Sequence, residues 1–89
     1  MRELKEEFDG KGQVKGFRFT QLEKSHNAYL YEVNTGHSIQ YEVFYRKENS
    51  QFNCVSYPSN KAFGRWAWTY SDFEKATRIF DLISLEKLD

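Results

Sequence analysis

Cysteine occurs once in this chain of 89 residues, at Cys54. No internal disulfide can form, which suits a reducing compartment. No apolar run approaches the ~20 residues that a membrane-spanning helix needs. The first ten residues, MRELKEEFDG, are too polar for a signal peptide. A cytoplasmic protein is therefore expected, with Met1 as the start of a complete gene product. Net charge is also missing: 13 basic residues balance 13 acidic ones. A dedicated nucleic-acid binder usually carries a much stronger basic field. The charge is uneven, however. Residues 13–70 hold seven basic groups against four acidic ones, and residues 71–89 three against five.

Reactive constellations are equally scarce. His26 and His37 each sit in a polar stretch that reads as a turn, where histidines are solvated, and no further ligand lies at metal-binding spacing. Neither metal nor cofactor is expected. Cys54 reads as a small buried hydrophobe, since a nucleophile needs a base beside it. The acidic residues are scattered singly along the strands. Gly10, Gly12 and Gly16 lack the strand-to-helix setting of a phosphate loop. An enzyme is not expected.

What the chain does have is rings. Eight Phe, six Tyr and two Trp make 18% of the residues, while mean hydropathy is −0.80. Burial must rest on large rings with polar tips rather than on aliphatic side chains. One small domain is expected, marginal in stability by its size and helped by association.

Along the chain, residues 1–13 read as an N-terminal arm or short helix, with Leu4 and Phe8 spaced i, i+4 before a flexible Gly10-Lys11-Gly12. Residues 14–89 form the domain. From Val14 the period becomes two. Phe17 and Phe19 share a face, and a bulge near Thr20 or Gln21 shifts Leu22 out of phase. Ala28–Val33 makes a second strand, and Asn34-Thr35-Gly36-His37 a hairpin turn. In the third strand Ile39, Tyr41, Val43 and Tyr45 face one way, and Ser38, Gln40, Glu42, Phe44 and Arg46 the other. The second face is mostly polar, so the sheet is expected to be covered on one side only. Phe52–Tyr57 makes a fourth strand, stopped by Pro58, and Trp66–Tyr70 a fifth.

Ser71-Asp72-Phe73-Glu74 then fits a capping box with Ser71 as N-cap. Phe73, Ala76, Phe80 and Ile83 continue as the apolar stripe of a helix ending near Leu85. The fold class is α+β: an antiparallel meander of about five strands with one C-terminal helix packed on one face.

Such a helix covers roughly 25 Å of sheet and cannot cover both faces. In the fifth strand Trp66, Trp68 and Tyr70 oppose only Ala67 and Thr69. Burial favours the tryptophan side as core; the alternative is an exposed platform. Single-stranded nucleic acid is held by exposed rings flanked by basic groups. For that use the contacts are Trp66, Trp68, Tyr57, Arg65, Lys61 and Arg46.

The run GRWAWTYSDFEKATRIFDLI, a last strand passing straight into a capped helix, resembles the layout of PC4-type single-stranded DNA-binding modules over residues 38–83. The resemblance implies a curved sheet that binds single strands and helices that pair subunits. The lysine-rich strand faces of that family are missing here, and the strand around QFNCVSYP has no counterpart in it. The leading expectation is a small non-enzymatic module that binds a protein partner or itself through its aromatic-rich sheet or helix. Single-stranded nucleic-acid binding is the alternative, and no membrane or metal partner is expected.

Overall fold

The computed structural model describes residues 1–88. It is the expected α+β arrangement, a five-stranded antiparallel sheet with one C-terminal helix. The strands are β1 (Glu7–Asp9), β2 (Arg18–Lys24), β3 (Ala28–Asn34), β4 (Ile39–Tyr45), β5 (Glu48–Asn49), β6 (Cys54–Val55) and β7 (Ala67–Tyr70). The helix α1 spans Phe73–Ser84. The sheet order is β1-β2-β3-β4-β7, and β5-β6 is a separate two-stranded ribbon.

Two strands differ from expectation. Residues 1–13, expected as an arm or a short helix, dock as an arm that supplies a strand: Phe8 pairs with Phe19, and the two rings stack with centroids 4.7 Å apart. The stretch Phe52–Tyr57 does not enter the sheet. Asn53 takes a left-handed backbone (φ +51°), so only Cys54 and Val55 extend, against Asn49 and Glu48. The N-terminus docks on this ribbon, with the Val55 amide donating to the Arg2 carbonyl at 2.8 Å.

The β3–β4 turn is built as its residues dictate. Gly36 takes φ +89°, and its amide donates to Asn34 Oδ1 at 2.8 Å. The bulge in β2 falls one or two residues later than expected, at Leu22. Gln21 pairs with Tyr31 and Glu23 with Leu30, which leaves Leu22 over.

Asp72, not Ser71, caps α1. Its carboxylate accepts from the Glu74 amide at 2.9 Å and from the Lys75 amide at 3.4 Å. A carboxylate there both satisfies free amides and suits the positive helix end. At the far end, Asn27 in the β2–β3 turn donates to the Ile83 carbonyl at 2.8 Å.

Both faces of the sheet are covered, contrary to the one-sided expectation. α1 lays Ala76, Phe80 and Ile83 on Ala28, Leu30 and Val43. Of the strand face expected as core, Val43 is buried, Tyr41 and Tyr45 are half-buried, and Ile39 is exposed. The other face carries the larger core: Phe19, Tyr29, Tyr31, Val33, Phe44 and Ala67. It is covered by Leu4 and Phe8 from the arm and by Val55, Tyr57, Ala62, Phe63 and Trp66 from the segment between β5 and β7. Glu42 and Arg46 on that face find partners in the covering segments, Tyr57 and Glu3, which is how a half-polar strand face is covered.

Candidate functional site

Tyr57 is the joint of the face away from α1. Its ring meets Phe8, Phe19, Tyr31 and Phe44 edge to face, with centroids 4.9–5.5 Å away. Its hydroxyl donates to Glu42 Oε1 at 2.6 Å. Burial and the adjacent carboxylate push the Tyr57 phenol far up. Burial also raises the Glu42 carboxyl, against the lowering effect of the Tyr57 and Gln40 hydrogen bonds.

Three hollows meet at Tyr57. The first, about 340 Å³, is walled by Val14, Phe17, Phe19, Pro58 and Phe63, with Glu42 and Tyr57 within it and Lys11 also on its lining. The second, an open groove of about 520 Å³, runs past Lys47, Ser56, Ser59 and Trp66. The third, about 270 Å³, lies against Leu4, Phe8 and Lys11.

The six residues expected to contact a ligand are split. Tyr57 and Trp66 border the same groove. Trp68 is on the opposite face, packed with the helix-side core. Residues Ala62–Trp66 form a turn in which the Arg65 and Trp66 amides both donate to the Ala62 carbonyl. Trp66 therefore lies before the strand begins and out of phase with it. Arg46 is committed to ion pairs with Glu3 and Glu48. Lys61 and Arg65 are exposed. His26 and His37 are exposed, and Cys54 is half-buried in the ribbon.

Glu42, Phe17, Phe19, Phe63 and Lys47 are the site residues that sequence reasoning missed. Lys47 places its ammonium 5.1 Å from the Trp66 ring centroid. The available signal was Glu42 two residues before Phe44, a carboxylate sharing a strand face with a large ring.

A second feature lies beside the first turn of α1. Phe73 is 49% exposed and Ile39 39%. Tyr41 joins them: it pairs with Tyr70 and meets Phe73 edge to face at 5.4 Å. Among the described residues, no three acidic, His or Cys side chains gather as a metal would require, and no helix is long and apolar enough to cross a membrane. No protein-family model, no curated protein and no solved structure matches the chain.

Proposed function

We propose that the chain is a small non-catalytic interaction module that self-associates through the surface around Phe73. The observation that carries this reading is the exposed Phe73 and Ile39 beside the half-buried Tyr41 and Tyr70, with Tyr41 in edge-to-face contact with Phe73 and Lys75 over the Tyr70 ring. A patch of joined rings, unlike a lone exposed side chain, favours contact with another protein. A second copy is the simplest occupant, because a two-fold contact uses one patch twice. Catalysis finds little support: His26 and His37 lie in turns at opposite ends of β3, and Cys54 pairs with Asn49 in the ribbon. Sedimentation velocity from 1 to about 200 µM tests the reading, spanning the micromolar affinities typical of weak interfaces. The expected result is a concentration-dependent dimer that Phe73→Asp converts to monomer. A monomer throughout that range refutes it.

A second reading, single-stranded nucleic-acid binding, is favoured by the Lys47 ammonium over Trp66 beside the open groove. Lys61 and Arg65, both exposed, lie close before Trp66 in the chain, although neither lines that groove. Titration with a mixed-sequence oligonucleotide would quench fluorescence in the wild type and in Trp68→Phe, but not in Trp66→Phe, and the effect would fade with salt. Equal quenching in both variants counts against it.

A further inference from the structure

A carboxylate on a covered sheet face, half-buried as Glu42 is, is ordinarily paired with a cation or with several donors. Glu42 has neither. It occupies the middle of the sheet, opposite Tyr31 on β3 and Thr69 on β7. It makes no ion pair among the described residues, and its short hydrogen bond comes from the neutral Tyr57 hydroxyl. Lys11 lines the same hollow but forms no ion pair with it. The contrast with Glu3 on the same chain is direct, since Glu3 takes both Arg46 and Lys24.

The surroundings of Glu42 are those an organic cation selects. The rings of Phe17, Phe19, Tyr57 and Phe63 line the hollow together with Pro58 and Val14, and Gln13 and Asn60 are the neutral polar groups on its wall. Rings attract ammonium groups through their negative faces, and the attraction grows as water is excluded. The hollow, about 340 Å³, has room for a short alkyl chain with its head group.

We propose that this hollow binds an alkylammonium group, with Glu42 as counter-ion at its floor and the rings of Phe17, Phe19, Tyr57 and Phe63 around the chain. The group is that of a lysine side chain presented by a partner or of a free aliphatic amine. The site lies on the sheet face away from α1, so it stands or falls independently of self-association around Phe73.

The test is a titration of the ¹⁵N-labelled full chain, followed by amide shifts, with butylammonium, with Nα-acetyl-lysine methylamide and with neutral n-pentanol. It is run on the wild type, on Glu42→Gln and on Lys11→Gln, which removes the only cation lining the hollow. Circular dichroism checks that each variant is folded. The expected result is saturable movement of resonances around Glu42, Tyr57 and Phe19 with both cations. Pentanol should bind at least tenfold more weakly, and Glu42→Gln should lose at least tenfold for the cations. A tighter response to the lysine derivative identifies a partner side chain as the source; equal responses identify the free amine. Three results overturn the proposal: no saturable movement in either the wild type or Lys11→Gln, pentanol binding as well as butylammonium, or Glu42→Gln binding the cations like the wild type.

Discussion

Replacing Glu3 by Gln should loosen the N-terminal arm by an amount that depends on pH in a defined direction. The Glu3 carboxylate accepts from Arg46 Nε at 3.1 Å and from Arg46 Nη2, pairs with Lys24 Nζ at 3.3 Å, and takes the Tyr29 hydroxyl. The Lys24 contact is exposed and worth little. The Arg46 fork matters more, because that side chain is only 18% exposed. A hydrogen bond to a charged group contributes about 1.5–3 kcal/mol. Glu3 is itself about one-third exposed, and glutamine keeps one acceptor, so a loss of about 1–2 kcal/mol is expected. In a domain of this size each kcal/mol moves Tm by about 4–8 °C.

The Arg46 guanidinium and the Tyr29 hydroxyl, aided by Lys24, hold the Glu3 carboxyl at about 2, against an ordinary 4.5. A carboxyl lowered by folding stabilises fully above its unfolded value and loses that stabilisation as pH falls toward its folded one. The gap between wild type and Glu3→Gln should therefore be full at pH 7, narrow below about 4.5 and close near 2. Urea unfolding, followed by tryptophan fluorescence at several pH values, measures it. A double-mutant cycle with Arg46→Gln should return a coupling of about 1 kcal/mol. A gap as wide at pH 3 as at pH 7, or none at pH 7, would refute the assignment of Glu3 as the anchor of the arm.

Tyr57→Phe removes the hydroxyl that donates to Glu42. It should cost about 1–3 kcal/mol and raise the Glu42 carboxyl further, read by ¹³C-detected titration. Asp72→Ala should cost about 1 kcal/mol in thermal unfolding and Ser71→Ala only a few tenths, since the aspartate makes the cap. Ala67→Leu forces a larger side chain into the fully buried site facing Phe44 and should cost about 1–3 kcal/mol by denaturant midpoint.

The central strands and the helix were legible because their signals are local. β4 alternates apolar and polar residues over most of its length, β3 is a short apolar run bounded by polar turns, Gly36 marks the turn between them, and the stripe Ala76, Phe80, Ile83 has helical spacing. β1 was not legible. It is three residues long, and only Phe8 shows its inward face, so the i, i+4 spacing with Leu4 mimics a helix. The second face of β4 was misread for a different reason. Gln40, Glu42 and Arg46 look solvated, but Glu42 is met by Tyr57 and Arg46 by Glu3, 43 residues away in the chain. Partners that distant leave no periodic trace, so the burial of Phe44 beside them could not be read from the strand.

The same limitation produced both the missed site and the split of GRWAWTY. Alternation assigns faces only inside a strand, and β7 begins at Ala67. Gly64 takes φ +88° in the turn before it, and Trp66 leaves that turn toward Phe44 while Trp68 goes under the helix. Each tryptophan thereby closes a different core. One helix could not cover both faces, so short irregular segments cover the second, and segments of that kind meet imperfectly. The hollows lie where they meet, around Tyr57, and Glu42 is the β4 residue that lines one of them. The candidate site is thus a consequence of how the second core is closed. Variants that loosen the arm or the segment between β5 and β7 should change the site before they unfold the sheet, because the sheet's central pairings do not pass through either segment.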